Sequence, residues 1–221
     1  MGASQAEQWK IWAEHMNTGF HHVFDLLWMR HMWKTTDTIL SSASAPDSGA
    51  IQNHLTTTYV IAICLLIRRE TDRSNSTSSY TRQLSVLASN PGLVSRSTYA
   101  GRDGEFNTYA PNGAERIDPD LVRADIAVLS AAAKPVKTYT DKIIAHHERF
   151  GRNALLPTLD YGQIDSVLAQ LGSSVQKYWP LTHAGSHLAR TTPADDRQWF
   201  NAFTVPWIRP MQTIGETKPP S

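Results

Sequence analysis

The sequence predicts an all-α fold, a helical bundle of four to five main helices with a loop insertion and an irregular C-terminal tail. Apolar residues recur every three or four positions over long stretches, which is the period of an α-helix. Few glycines or prolines interrupt these stretches, and we find no convincing strand. Because 221 residues can bury one core, we expect residues 1–221 to form a single domain.

The first two predicted helices cover residues 5–40 and 51–70. The first is either one long helix or two helices joined near Gly19, since apolar side chains keep the helical step on both sides of this glycine. The second helix carries an apolar side, and Ile61 and Leu65 place further apolar side chains on its other faces. We therefore expect it to be the most buried helix of the fold.

Three further helices are predicted around one loop insertion. Helical periodicity covers residues 80–88, 118–150 and 161–178, and Pro135 should bend the second of these because it removes one backbone hydrogen bond. Between them, residues 90–115 contain four glycines and two prolines without periodicity. Such a segment is either an ordered surface insertion or a mobile lid.

The C-terminal residues 180–221 are expected to form an irregular tail that packs on the bundle. Within it, residues 192–200 have the cap and first-turn pattern of a further helix. The proline-punctuated residues 205–210, VPWIRP, are expected to cross the bundle as extended chain.

Composition excludes several classes of function. The 21 basic and 20 acidic residues give no broad basic field, so contact with RNA or DNA would be local. The lone Cys64 excludes an intrachain disulfide and fits a reducing compartment. The uninterrupted apolar run at 59–67 is shorter than the ~20 residues that cross a bilayer, and the N-terminus has no apolar signal core. We expect a cytoplasmic protein that does not act on a membrane.

The strongest candidate site lies in residues 138–150, TYTDKIIAHHERF. On a helix turning by about 100° per residue, His147 falls on the apolar stripe and belongs to the core. His146 lies at the edge of that stripe, four residues after Lys142, while Asp141 points away. A neighbouring lysine favours the neutral imidazole, which suits a base beside a bound phosphate. The alternative is that both histidines are ordinary residues near a helix C-terminus.

Arg68, Arg69 and Asp72 form a second candidate cluster in LIRRETDR. If this helix packs against the 138–150 segment, one arginine pairs with Asp141 or supplies a cation near His146. The alternative is a solvated helix end, where basic residues complement the helix dipole.

A metal site is the weakest candidate. Histidines four residues apart occur at 183 and 187, in HAGSH, but Gly185 weakens the helix that would orient both imidazoles together. Neither HExxH, a cysteine ligand pair, a Walker-type glycine loop nor a GxSxG elbow is present. We expect no metal and no cofactor.

Four segments, in order along the chain, resemble the HEPN superfamily and specifically its abortive-infection AbiU-type branch. The signature helix of that branch is similar to KTYTDKIIAHHER, and its earlier apolar helix ending in Arg-Arg and then Asp is similar to YVIAICLLIRRETDR. The next helix resembles STSSYTRQLSVL, and the closing segment of some members resembles FTVPWIRP. The resemblance spans most of the chain except the insertion.

The resemblance implies a compact helical bundle, commonly a homodimer, with metal-independent ribonuclease activity in phage defence or toxin systems. The family's site is an arginine followed after four to six residues by a histidine, two copies meeting across the dimer. The matching histidine is His146, but Thr140 and Asp141 occupy the region where the arginine is expected. Lys142 is the nearest cation in sequence, and lysine is a poorer bidentate phosphate ligand than arginine.

Two functional hypotheses follow from these residues. In the first, the protein cleaves RNA with Asp141, Lys142 and His146 as catalytic residues, and Lys142 or Arg69 contacts the phosphate. In the second, the bundle has lost catalysis and binds a partner protein or a nucleotide, while the same polar residues hold helices together.

Overall fold

The computed structural model describes residues 4–42, 48–74, 76–145, 157–183 and 188. It confirms the all-α fold class: these residues contain no strand, only an isolated bridge between Ser95 and Arg116. The α-helices in these ranges are α1 (Gln5–Ser42), α2 (Ser48–Glu70), α3 (Tyr80–Ser89), α4 (Asp103–Phe106), α5 (Pro119–Tyr139) and α6 (Tyr161–Tyr178). A π-helical segment, Thr140–Ala145, continues α5, and short 3-10 turns lie at Pro111–Gly113 and Trp179–Leu181.

Helix α1 packs against three other helices, α2, α3 and α6. Helix α2 runs antiparallel to it, because Gln52 bonds to Asp37 at 3.3 Å near one end while Glu70 lies beside His22 at the other. Helix α3 continues in the same direction, with the Trp12 indole N–H donating to the Gln83 carbonyl at 3.1 Å. Helix α5 packs on α2, α3 and α6 and closes the core.

Gly19 lies inside one continuous helix and permits a close helix contact there. A Cβ atom at this position would lie 3.1 Å from the Tyr80 Cα of α3. Since this is closer than ordinary van der Waals contact, only glycine lets α3 begin so near α1. Of the two alternatives for the first helix, the single long helix is therefore correct.

The expectation that the second helix is the most buried is wrong. Tyr59, Ile63, Cys64 and Ile67 are buried, but they share one side of α2. That side meets α1, α5 and the π-helical segment. No other described element packs on the opposite side, which bears large exposed apolar residues: Ile51, Leu55, Ile61 and Leu65.

Helix α2 also differs from the short apolar run in the sequence. By length and composition, Gly49–Glu70 is the one described helix able to cross a membrane, and 22% of its most apolar window is buried. Threonines and alanines extend the uncharged stretch well beyond the run at 59–67. One side of α2 packs against the bundle, and the other is exposed.

The 90–115 insertion is held in place by a network around Arg96. This guanidinium donates to the carbonyls of Asp103, Ala110 and Ala114, and it also contacts the side chains of Asp103 and Asn107. The insertion contributes buried side chains to the core, among them Phe106 and Tyr109. Its geometry is that of an ordered segment packed on the bundle. The candidate tail elements at 192–200 and 205–210 lie outside the described residues.

Candidate functional site at the end of helix α2

The candidate site forms where the C-terminal end of α2 meets the junction between α5 and the π-helical segment. Helix α2 ends in Arg68, Arg69 and Glu70, three charged residues after a helix with no charged residue from 48 to 67. Basic residues in a last helical turn complement the helix dipole. Glu70 opposes that dipole, so its position calls for a tertiary partner.

Arg68 reaches across from α2 to Asp141. The Arg68 Nε donates to the Asp141 Oδ1 at 2.5 Å, and the two side chains are 43% and 42% exposed. The pair between an α2 arginine and Asp141, which the sequence analysis considered, is thus formed. Arg68 forms it, and Arg69 does not. The contact joins the second candidate cluster to the first.

The π-helical geometry explains why Asp141 faces α2. In a π-helix the backbone bonds run from residue i to i+5, so side chains from Thr140 onward no longer follow the step of an α-helix. Thr140 is buried, its hydroxyl donating to the Val136 carbonyl at 2.8 Å, and Ile144 packs against the core. The stripe predicted through Tyr139 is therefore displaced, and the expectation that Asp141 points away is wrong.

Pro135 does not end the helix in which it lies, because α5 continues through it to Tyr139. The regular α-helical pattern stops four residues after the proline ring, where the π-helical segment begins.

Of the predicted catalytic residues, Lys142 is exposed and has a partner of its own. His146, and the core candidate His147, lie outside the described residues.

Arg69 is held by a different carboxylate. Its Nε donates to the Glu70 Oε1 at 2.7 Å. Glu70 is fully buried, and its Oε2 accepts the Tyr80 backbone N–H at 3.0 Å. The His22 Nδ1 lies 3.0 Å from Oε1, within ion-pair distance but without hydrogen-bond alignment. Glu70 therefore links α1, α2 and the start of α3.

Sequence reasoning missed Glu70 and His22. A signal was present for Glu70: a carboxylate at the C-terminal end of a helix is unfavourable beside the helix dipole, so its presence indicates a buried partner. No comparable signal exists for His22, whose role depends on where α2 ends against α1.

Asp72 belongs to the turn between α2 and α3. Its Oδ1 accepts the Ser74 backbone N–H at 3.0 Å, and its carbonyl accepts the Ser79 hydroxyl. Lys137 of α5 approaches the same turn, with its Nζ donating to the Thr71 carbonyl at 3.3 Å. These bonds fix the turn, while the guanidinium of Arg68 lies on the α5 side of the helix end.

The arrangement presents two half-exposed guanidinium groups at the end of α2. Each is anchored through Nε, and the described residues provide no partner for the terminal nitrogens of either arginine. Those nitrogens form the planar edge that binds phosphate or carboxylate in a bidentate manner. The site is therefore suited to an anionic group bearing at least two oxygens.

The metal candidates are not brought together in the part of the chain that the structure covers. No group of three His, Cys, Asp or Glu side chains suited to a metal ion occurs among those residues. His183 instead stacks on Trp179, with ring centroids 3.4 Å apart. Burial lowers the pKa of His183, and His187 lies outside the described residues.

Fold and site together define an all-α helical bundle with two arginines, each bound to a carboxylate, at a helix junction. No protein-family model matches the chain, and comparisons with curated proteins and with solved structures give no significant match. The HEPN resemblance accordingly rests on the four sequence segments alone.

Proposed function

We propose that this protein is a HEPN-type helical protein of the AbiU kind that cleaves RNA without a metal ion, in phage defence or a toxin-type role. His146 is the base and Arg68 is the phosphate contact. The observation that carries the proposal is the 2.5 Å pair between Arg68 and Asp141. The pair holds an arginine of α2 beside Asp141, the residue at the position where the family pattern has its arginine.

The position of Asp141 gives this pair its meaning. The family pattern has four to six residues between its arginine and its histidine, and four residues separate Asp141 from His146. Here Asp141 binds the Nε of Arg68 and orients the guanidinium. An arginine supplied from a second helix would provide the same planar donor edge as one supplied from the same helix.

The proposed reaction is an internal transfer at the RNA backbone. His146 removes the proton of a ribose 2′-hydroxyl, whose oxygen attacks the adjacent phosphorus. The bond from phosphorus to the 5′-oxygen breaks, giving a 2′,3′-cyclic phosphate and, after protonation, a 5′-hydroxyl. Arg68 stabilises the charge that develops on the phosphate oxygens. Arg69, anchored on Glu70, and Lys142 extend the basic surface along the RNA.

A second function is supported by the same contacts. In a catalytically inactive bundle that binds a protein or nucleotide, the Arg68–Asp141 and Arg69–Glu70 pairs would hold helix ends together and present an anion-binding edge. The absence of an arginine at the family spacing before His146 favours this alternative.

Incubation of the purified full-length protein with bulk RNA and excess EDTA separates the two functions. The proposal expects cleavage in EDTA, products ending in a cyclic phosphate, and loss of activity in His146→Ala. His15→Ala, which changes an exposed histidine of α1, is the matched control and should retain activity. RNA binding without cleavage would support the inactive bundle, and cleavage unaffected by His146→Ala would overturn the site assignment.

A further inference from the structure

A cavity of about 600 Å³ opens at the surface between the start of α1 and helix α3. This volume lies within the range of ~300–1,000 Å³ that is typical of small-molecule sites. The lining comes from α1, from the turn before α3, from α3 itself and from the residues that follow it. None of the described residues that line the cavity is acidic, and none belongs to the arginine site at the end of α2. The cavity is therefore a separate site without a carboxylate that would repel an anion.

One part of the cavity lining is apolar. Trp12 is 2% exposed, and its indole N–H donates to the Gln83 carbonyl at 3.1 Å. This bond fixes the ring and uses its only polar group, so the indole offers apolar surface to the cavity. Leu93 is also buried, whereas Ile11 is 49% exposed at the mouth. An apolar or aromatic group that enters the cavity removes this surface from water.

Arg82 of α3 supplies a positive charge to the same cavity. Its side chain is partly buried, and no described residue forms a hydrogen bond or an ion pair with its guanidinium. Arg30 and Arg96, which are also partly buried, each bind a carboxylate of the protein. A guanidinium that has lost part of its hydration is stabilised by an anion, and its planar donors match the oxygens of a carboxylate or a phosphate.

Gln83 adds a polar group that lacks a bond within the described part of the protein. The residue is 6% exposed and lines the cavity, yet the described residues provide no hydrogen-bond partner for its side-chain amide. Buried amide groups are nearly always hydrogen-bonded, because an unpaired one costs free energy. A molecule in the cavity can supply the missing bond, since the amide both donates and accepts.

The backbone donors at the start of α3 are already used within the protein. The Tyr80 N–H donates to the Glu70 Oε2 at 3.0 Å, and the Arg82 N–H donates to the Ser79 hydroxyl at 3.1 Å. Recognition of an anion in this cavity therefore depends on side chains and not on the helix terminus.

We propose that this cavity binds a small organic anion with an apolar or aromatic body. A carboxylate or phosphate group of the ligand pairs with Arg82 and accepts a hydrogen bond from the Gln83 amide, while the apolar body lies against Trp12 and Leu93. An RNA strand is a poor occupant, because RNA binding draws on several basic residues and Arg82 neutralises a single phosphate. The proposal is independent of the RNA activity and is tested without RNA.

Fluorescence titration of the folded, full-length protein with anilinonaphthalene sulfonate tests the site. This probe is an aromatic anion whose emission rises in apolar surroundings, and its uncharged analogue phenylnaphthylamine reports the apolar lining alone. We expect saturable binding of the sulfonate that is about 10-fold weaker in Arg82→Met, because a charge-assisted pair is lost. The affinity for the uncharged analogue should change by less than about two-fold.

Arg123→Met is the matched control for the loss of positive charge. Arg123 is an exposed arginine of α5 that does not line the cavity. This variant should bind both probes as the wild-type protein does. A loss of sulfonate binding as large as that of Arg82→Met would show general attraction to basic residues and would overturn the proposal.

Two further variants make the test independent of how well Arg82→Met folds. Gln83→Leu should weaken sulfonate binding about three-fold without lowering the melting temperature, because the amide has no bond within the described protein to lose. Ile11→Glu changes an exposed residue at the mouth and should weaken binding of the sulfonate more than binding of the uncharged analogue, since like charges repel. Unchanged sulfonate binding in both variants would contradict the site.

Competition identifies the anionic group of the natural ligand. Naphthoate and naphthyl phosphate share an aromatic body and differ in their charged group, and displacement of the sulfonate probe by either supports the proposal. The competitor that acts at the lower concentration shows whether the site prefers a carboxylate or a phosphate. Equal sulfonate binding by the wild-type protein and Arg82→Met, or no binding by the wild-type protein up to about 1 mM, would overturn the proposal.

Discussion

Arg68 and Asp141 join two helix ends that lie 73 residues apart in the sequence, with 2.5 Å between Nε and Oδ1. Both side chains are more than one-third exposed, so water competes with the pair. The arrangement costs little to form and leaves the terminal guanidinium nitrogens turned to solvent. It is better understood as a device that positions Arg68 than as a source of stability.

A double-mutant cycle on this pair tests that interpretation. Arg68→Gln, Asp141→Asn and the double variant should give a coupling free energy of about 0.5 kcal/mol, because exposed ion pairs are screened by solvent. Urea unfolding followed by circular dichroism provides the measurement. A coupling above about 2 kcal/mol would instead identify the pair as a main structural contact.

Replacing Glu70 should have a much larger effect on stability. Glu70→Ala removes the buried carboxylate that accepts from the Arg69 Nε and the Tyr80 N–H and that lies beside His22, so we expect a loss of about 3 kcal/mol in the free energy of unfolding. The control is Asp120→Ala, a side chain that is 84% exposed, which should change stability by less than about 0.5 kcal/mol. Equal effects in urea unfolding would contradict the role given to Glu70.

The two glycines of α1 and α2 should respond in opposite directions to alanine. Gly19→Ala places a methyl group 3.1 Å from the Tyr80 Cα, and we expect it to destabilise the protein by about 1 kcal/mol despite the better helix propensity of alanine. Gly49→Ala has open space around it and should stabilise by up to about 0.5 kcal/mol. Thermal melts of both variants check this, and a stabilised Gly19→Ala would show that α1 and α3 can move apart.

Acid stability should depend on the pair formed by Arg30 and Asp165. The Arg30 Nε and a terminal nitrogen donate to both carboxylate oxygens, at 2.6 and 3.0 Å, and these bonds lower the pKa of Asp165 below its ordinary 3.8 although burial opposes them. A folded-state pKa below the unfolded value contributes stability above the unfolded pKa, and this is lost as the pH falls through the folded pKa. Asp165→Asn should therefore flatten the decline in unfolding free energy between about pH 5 and about pH 2. An unchanged decline would contradict this assignment.

Helix positions could be predicted from the sequence because each signal is local. The α6 bounds follow from apolar spacing and from the capping box that Asp160 and Gln163 form, and α5 begins directly after its cap Asp118, the first residue of the predicted range 118–150. Burial was less predictable, because the apolar sequence of α2 does not show whether other helices cover it on all sides or on one side only. Gly19 shows the same limit. Only the position of Tyr80 shows that this glycine permits a close contact between α1 and α3, and that it does not break α1.

The candidate site could be predicted in part. From the sequence, a pair between one of the two arginines and Asp141 was one alternative, conditional on the two helices packing together. The predicted direction of Asp141 was based on an α-helix through residues 140–145, where the structure has a π-helical segment. The π-helical segment depends on how Thr140 and Ile144 pack, which is a tertiary effect. Glu70 was overlooked because a single acidic residue at a basic helix end gives a weak local signal.

The central claim is that Arg68, held by Asp141, contacts the RNA phosphate. Its most direct test is the rate of RNA cleavage in EDTA by the wild-type protein, Arg68→Ala and Arg69→Ala, with folding verified by circular dichroism. We predict a rate about 100-fold lower in Arg68→Ala, the size expected for loss of one charge-stabilising donor, and less than about 10-fold lower in Arg69→Ala. Cleavage by Arg68→Ala at the wild-type rate, or no cleavage by the wild-type protein, would contradict the claim.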